Sequence, residues 1–151
     1  MRNRAAGFSV IELVSALAIM GIMTSIAYPR LHAVSTAASV RAAKLAAVAY
    51  IERTRAAAVE NGREARFVRV GDALQITVDS SGTQVTVAAP RDIYAEHQVH
   101  LVTTRDTIAF DPRGFAVGLS SVVVIRLNRE DVSDSVCVTR LGKIAGRKCS
   151  L

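Results

Sequence analysis

The first pattern along the chain is an apolar run close to the N-terminus. Residues 8–27 contain a single charged side chain, Glu12, and the short segment before them carries Arg2 and Arg4 and no acid. About 20 apolar residues in a helix, at ~1.5 Å rise per residue, match a hydrocarbon core of roughly 30 Å. The pattern therefore predicts a membrane-spanning helix. Under the positive-inside rule, the basic N-terminal residues stay in the cytoplasm and the rest of the chain lies outside it.

A second helical pattern follows the apolar run. Residues 31–60 are rich in alanine and contain neither glycine nor proline, a composition that favours helix. Large apolar side chains recur at spacings compatible with one helical stripe. These residues are Leu31, Val34, Leu45, Val48, Ile51 and Val59. Asn61 and Gly62 tolerate left-handed backbone geometry and predict the end of an amphipathic helix over residues 30–62.

Beyond Gly62 the apolar residues alternate with polar ones, as is typical of strands. Turn residues at Gly71-Asp72 and Ser80-Ser81-Gly82-Thr83 divide residues 66–89 into an antiparallel meander of two hairpins. Further strands are predicted over residues 99–103, 107–110, 122–127 and 136–139. The expected fold class is α+β, with a long N-terminal α-helix, half transmembrane and half amphipathic, packed on an antiparallel all-β head.

Glu12 separates three interpretations of the apolar run. An ordinary secretory signal peptide would use Ser25-Ile26-Ala27 as a small-x-small cleavage site before Tyr28. A plain single-pass anchor would need only the apolar residues. Neither interpretation explains a carboxylate five residues into the run, since a lone Glu in the membrane costs a few kcal/mol. The third interpretation is that Glu12 has a functional partner.

The segment Gly7-Phe8-Ser9-Val10-Ile11-Glu12-Leu13 closely resembles the processing signature of type IV pilins and type II secretion pseudopilins. The resemblance implies that a prepilin peptidase and N-methyltransferase cuts between Gly7 and Phe8 and methylates the new amino terminus on Phe8. It also implies that Glu12 pairs with the terminal amine of a neighbouring subunit during filament assembly, which supplies the missing partner. Pro29 falls where family members kink or unwind this helix, and proline has a physical reason to bend it.

The long helix, the all-β head and the stretch Phe110-Asp111-Pro112-Arg113-Gly114-Phe115 resemble the GspH/FimT branch of this superfamily. That branch contains minor pseudopilins of type II secretion and minor pilins of type IV pili. The resemblance implies a leader over residues 1–7, a transmembrane and polymerisation helix over 8–29, an amphipathic helix over 30–62 and a β-rich periplasmic head over 63–151.

Membership of this branch would also define location and partners. The protein would be a single-pass protein of the bacterial inner membrane, in contact with its lipid, with its head in the periplasm. It would be extracted into a periplasmic pseudopilus or a pilus together with other pilins or pseudopilins. Secretion and pilus systems share the leader and the helix, so both systems remain open.

Composition and cysteine count bear on the head. Half of the residues are hydrophobic but only 5% are aromatic and none is Trp, so much of the apolar content is Ala and Val. Cys137 and Cys149 are the two cysteines, and neither lies in the spacing of a zinc site. Export to an oxidising compartment predicts a disulfide between them that closes a short loop.

The loop that Cys137 and Cys149 would close is rich in basic residues. The chain has a formal net charge of +6, and Arg140, Lys143, Arg147 and Lys148 fall inside the loop with no acid among them. A basic, glycine-containing loop can track phosphates, so DNA binding during natural transformation is the alternative function. Some FimT-like members are associated with DNA uptake through a C-terminal Gly-Arg-x-Arg motif. Gly142-Lys143-Ile144-Ala145 and Gly146-Arg147-Lys148-Cys149 each resemble it only in part and lack its last Arg. A solvated basic loop is the simpler interpretation.

Candidate catalytic chemistry is weak throughout the sequence. His32 is isolated, and His97 and His100 beside Glu96 form at most an i, i+3 pair, so we expect solvent-exposed histidines rather than metal ligands. Ser120-Ser121 lacks a nucleophile elbow, and no glycine-rich phosphate loop follows a strand. We therefore expect a structural and interaction protein, not an enzyme, with neither metal nor cofactor.

Overall fold

The structure is a computed structural model and describes residues 9–145. The chain forms two compact units, Met1–Ser35 and Thr36–Leu151. The boundary between them falls within the first helix, α1, which runs over Val10–Asn61. The long N-terminal helix expected from the sequence is confirmed as one continuous helix, with Pro29 in its interior.

The end of α1 follows from two hydrogen bonds and one glycine. Gly62 has a φ of 60°, which places it in the left-handed region. Its N–H donates to the carbonyl of Val59 at 3.3 Å, and the N–H of Arg63 donates to the carbonyl of Ala58 at 3.2 Å. These bonds form a Schellman motif, which satisfies carbonyls that the helix leaves unpaired. The helix end predicted at Asn61 and Gly62 is confirmed.

The head consists of nine strands and one short helix within the described residues. In chain order they are β1 (Ala65–Val70), β2 (Ala73–Ser80), β3 (Thr83–Asp92), α2 (Ile93–His97), β4 (His100–Thr103), β5 (Thr107–Phe110), β6 (Ala116–Val117), β7 (Val123–Arg129), β8 (Val132–Val138) and β9 (Ile144–Ala145). They form two antiparallel sheets. One has the strand order β3-β2-β1-β5-β6 and the other has the order β4-β7-β8-β9.

The predicted α+β class and the β1–β2–β3 meander are confirmed. In the β1–β2 hairpin, Ala65 pairs with Val78 and Val70 pairs with Ala73. The strand predicted over residues 136–139 begins at Val132, four residues earlier than expected. Its first half is polar, since Ser133, Asp134 and Ser135 precede the apolar residues, so hydrophobicity alone underestimated its length.

The face by which α1 packs on the head differs from the predicted stripe. Leu45 is 71% exposed, and of the six residues predicted for the stripe only Ile51 is fully buried. The predicted face was therefore wrong. The buried residues of α1 are Thr36, Val40, Ala43, Ala46, Ala47, Tyr50, Ile51, Thr54, Ala57 and Ala58. Most of them are small, and small side chains let the helix backbone approach the strands closely.

One hydrophobic core joins the C-terminal half of α1 to both sheets. Ile51 of α1, Phe67 of β1 and Ile125 of β7 belong to the same buried cluster. Polar contacts fix the position of the helix at the edges of this cluster. The Lys44 ammonium lies 2.8 Å from Asp134 Oδ1 in β8. This arrangement leaves the opposite face of α1, with Leu45 and Val59, exposed.

Candidate functional site

The start of α1 carries the predicted assembly residue. Glu12 lies in the first turn of the helix, where its carboxylate faces the positive end of the helix dipole. The carbonyl of Ser9 accepts from the N–H of Glu12 at 3.0 Å and from that of Leu13 at 3.2 Å, so the helix begins immediately after Ser9. Gly7 and Phe8, the predicted cleavage and methylation residues, lie outside the described residues.

The apolar surface of residues 9–29, the assembly segment, suits a membrane. α1 contains an 18-residue window of mean hydropathy 2.1, none of which is buried. This is long and apolar enough to span a bilayer. The hydroxyls of Thr24 and Ser25 donate to the carbonyls of Met20 and Ile22, both at 2.8 Å. These hydroxyls are thus satisfied within the helix. Glu12 is the one charged side chain in this segment of the sequence.

Pro29 lies inside α1 and does not interrupt its helical assignment. It has no N–H to donate to the carbonyl four residues earlier. The bend predicted at Pro29 remains a prediction. The alternative, unwinding of the helix at this residue, does not occur in the structure, where α1 is continuous through Pro29.

The predicted disulfide and basic loop are only partly within the described residues. Cys137 lies in β8, where it pairs with Val124 of β7 and Ala145 of β9, and it is 2% exposed. Cys149 lies outside the described residues, as do Arg147 and Lys148. The Cys137–Cys149 disulfide therefore remains a prediction.

Arg140 and Lys143 are brought together in one ordered turn between β8 and β9, the Thr139 turn (residues 139–143). The Thr139 N–H donates to the Lys143 carbonyl at 2.9 Å, and the Thr139 hydroxyl accepts from the Lys143 N–H at 3.0 Å. Gly142 has a φ of 82°, and a Cβ there would lie 3.0 Å from Phe110 Cε1. The turn thus requires glycine and presents both basic side chains to solvent.

A second ordered turn, the Asp111 turn (residues 111–115), joins β5 to β6, where Asp111-Pro112-Arg113-Gly114 predicts a break in the chain between two strands. Asp111 Oδ1 accepts from the N–H groups of Arg113 and Phe115, both at 2.9 Å. The Phe115 N–H, followed by the hydrogen bonds from Arg113, holds the pKa of the Asp111 carboxyl below its usual value. The sequence signal was available, since Asp, Pro and Gly stand at the first, second and fourth positions preferred in a type I turn.

His97 and His100 each lie beside one acidic side chain. His100 Nδ1 lies 2.9 Å from Asp72 Oδ2, and its ring stacks on Tyr94. Within residues 9–145, no group of three His, Cys, Asp or Glu side chains is placed to hold a metal ion. His97 is half-buried rather than exposed as predicted, because residues 93–97 form α2 instead of a loop. Asp92 starts that helix by accepting from the N–H of Ala95 at 3.0 Å.

Comparisons with known proteins agree with the N-terminal signature and with the fold. The family model of the prokaryotic N-terminal methylation motif matches residues 2–28. No curated protein matches the chain.

Two crystal structures of the type IV minor pilin FimU from Pseudomonas aeruginosa PAO1 share its fold. One has a TM-score of 0.60 at 16% identity and covers 72% of this chain and 88% of FimU. The other has a TM-score of 0.58 at 16% identity and covers 72% of this chain and 92% of FimU. The chain therefore carries the prokaryotic N-terminal methylation motif and has the fold of a type IV minor pilin.

Proposed function

We propose that this chain is a minor pseudopilin or minor pilin of the GspH/FimT type, a structural subunit of a periplasmic pseudopilus or pilus tip. It would serve type II protein secretion or type IV pilus assembly. The observation that carries the proposal is the methylation motif over residues 2–28 on a helix whose exposed apolar segment holds the single charge of Glu12. A signal peptide or a plain anchor gives that charge no role.

The resemblance of the N-terminal segment to the prepilin signature implies the order of events. A prepilin peptidase and N-methyltransferase removes residues 1–7 and methylates the amine of Phe8. Residues 8–29 then hold the subunit in the inner membrane, with the head in the periplasm, until it joins other pilin-like subunits. A methylated amine keeps its positive charge, so it can still pair with a carboxylate.

Glu12 is the residue through which the subunit would recognise its neighbour. A carboxylate among lipid chains or packed helices is costly alone and tolerable when paired. A terminal amine on the next subunit is a partner of opposite charge and small size. The ion pair would therefore make assembly favourable and would set the register between the two helices.

Replacement of Glu12 tests this function. Loss of one partner of a buried ion pair costs roughly 3–5 kcal/mol, and each ~1.4 kcal/mol is tenfold in an equilibrium constant. Glu12→Ala should therefore reduce the fraction of the subunit recovered in filaments by about a hundredfold or more, measured by immunoblotting sheared or affinity-purified filaments. Secretion or piliation should fall with it.

Thr24→Ala is the matched control, because Thr24 lies on the same segment and its hydroxyl bonds only to the helix backbone in the structure. It should assemble normally. Normal incorporation of Glu12→Ala would contradict the proposed role. Whether protein secretion or pilus formation is lost when the gene is deleted distinguishes the two systems.

A second candidate function is DNA capture by a minor pilin during natural transformation. The observation that favours it is the exposed pair Arg140 and Lys143 in a turn fixed by hydrogen bonds and by Gly142. Fixed basic side chains bind the phosphate backbone without sequence preference and with strong salt dependence.

A direct binding measurement tests DNA capture. The full chain in detergent should bind a duplex oligonucleotide, and the replacement of Arg140 and Lys143 by Gln should lower the affinity and the steepness of its salt dependence. Arg126→Gln, an exposed arginine on β7, is the control and should bind like the parent. Equal binding by all three proteins, or none by the parent, would exclude this function for the turn.

A further inference from the structure

Two large apolar side chains are exposed on neighbouring turns of the head. Phe115, in the Asp111 turn, is 47% exposed, and Leu141, in the Thr139 turn, is 71% exposed. The turns touch, since a Cβ on Gly142 would lie 3.0 Å from Phe110 Cε1 and 3.2 Å from the backbone nitrogen of Ala116. Gly142, which follows Leu141, therefore lies against Ala116, which follows Phe115.

Hydrogen bonds fix the backbone of the two turns that carry these side chains. The N–H of Phe115 donates to Asp111 Oδ1 at 2.9 Å, and the Phe115 carbonyl accepts from the N–H of Asp111 at 2.9 Å. The N–H of Gly142 donates to the carbonyl of Thr139 at 2.8 Å. Backbones ordered in advance lose little entropy on binding, so side chains presented in this way bind a partner at low cost.

α1 extends this surface. A Cβ on Gly114 would lie 3.4 Å from Val59 Cγ2 and 3.0 Å from Arg55 Nε, so the Asp111 turn packs directly on the helix. Val59 itself is 52% exposed. Single exposed apolar residues are common, but Val59, Phe115 and Leu141 come from three separate segments that converge. We call these three residues the apolar patch.

The charges beside the patch indicate the chemistry of its partner. Arg140 and Lys143 flank Leu141 and are exposed. Residues 112–121 and 135–145 contain no acid, whereas the exposed Glu52 and Glu60 lie near Val59 on α1; the basic charge is therefore concentrated at the Leu141 part of the patch. A second copy would bring the same cationic turns toward each other, which is unfavourable. A different chain with an apolar surface and acidic residues at its rim is complementary to this one.

We propose that the apolar patch is the contact by which the head docks on an apolar, acid-rimmed surface of a different pilin-like subunit in the same filament. This inference rests on the proposed structural function, because only a filament subunit has neighbouring subunits that its head can contact. Phe115 and Leu141 supply the buried centre of the contact, and Arg140 and Lys143 supply its polar rim.

Site-specific photo-cross-linking of the full chain tests the contact. A benzophenone amino acid is placed at position 115 in cells that assemble the filament, and the products are identified by mass spectrometry. The expected product joins position 115 to a different pilin-like subunit. The same probe at position 102, an exposed valine on β4, is the control and should give no such product.

A double variant measures the strength of the contact. Phe115→Ser with Leu141→Ser should lower incorporation of the subunit into filaments by about tenfold or more, as expected when central apolar contacts are truncated. The melting temperature in detergent should match that of the parent. Tyr94→Ser with Val102→Ser removes two comparably exposed apolar side chains from elsewhere on the head and should assemble normally.

The outcomes separate this inference from the proposed function. If Glu12→Ala blocks assembly and the Phe115 and Leu141 double variant assembles like the parent, the patch is not the contact but the function stands. If neither change affects assembly, the proposed function itself fails. Should the double variant unfold, cross-linking decides, and a product with lipid, with a second copy or with no protein would overturn the proposal.

Discussion

Asp111 shows how one side chain organises a surface that neither helix nor sheet provides. Its carboxylate accepts from two backbone N–H groups, and the Arg113 Nε lies 3.1 Å from its second oxygen. Backbone N–H groups aimed at a carboxylate favour its ionised form. We therefore expect the backbone of the turn that carries Phe115 to depend on the negative charge of Asp111.

The dependence on charge gives a pH prediction for Asp111→Ala. The pKa of Asp111 is lowered in the folded chain, first by the Phe115 N–H and then by Arg113. A lowered pKa contributes stability that is present above the unfolded value, ~3.9 for Asp, and is lost as pH falls through the folded value. The variant should therefore melt at a lower temperature than the parent at neutral pH, and the difference should shrink once the pH falls below about 4.

Thermal unfolding of the full chain in detergent, recorded from neutral to acidic pH, measures this difference. Asp131→Ala, at an exposed position in the turn between β7 and β8, is the control. It should change the melting temperature little at any pH. An equal loss for Asp111→Ala at neutral and acidic pH would show that the charge of the carboxylate does not support the turn.

At the scale of elements, α1 shows what the sequence predicts well and what it does not. Its existence and its end follow from composition and from Gly62, which are local properties. Its buried face does not, because Leu45 and Val59 are large and apolar yet exposed, while Ala43 and Ala47 are fully buried. Close packing of small residues decides the face, and closeness depends on strands that come later in the chain.

Adding bulk to the inner face of α1 tests this packing. Ala47 is fully buried, so Ala47→Leu should overpack the interface with the sheets and destabilise the head by about 1–3 kcal/mol. Ala42→Leu is the matched control, since Ala42 is exposed and leucine is nearly as good a helix former as alanine. Denaturant unfolding of both variants measures the difference. Equal stabilities would contradict the assignment of the buried face.

The candidate sites differ in the same way. The N-terminal signature is linear, so its candidate residues Gly7, Phe8 and Glu12 could be predicted from the sequence. Phe115 and Leu141 are far apart in the chain, and only the packing of Gly142 against Phe110 and Ala116 brings their turns together. No spacing rule along the sequence relates two turns that meet through tertiary contact.

At the scale of the whole molecule, the apolar surface suited to a membrane and the exposed turns suited to a specific contact lie in different parts of the chain. The assembly segment offers an apolar surface and a single charge, which many pilin-like subunits can share. The head offers two adjoining turns with the basic residues Arg140 and Lys143 beside them. Under the proposed function, such a division would let one filament incorporate several distinct subunits by a common helix interaction, while each head selects its own neighbour.

The central claim is that the chain is made as a prepilin and matured at its N-terminus. The intact mass and N-terminal sequence of the protein purified from membranes of cells with an active prepilin peptidase test it most directly. We predict a chain that begins at Phe8, lacks residues 1–7 and carries one additional methyl group on its N-terminal amine. A chain that retains the leader, or one cut before Tyr28 as a secretory signal peptide would be, would contradict the account.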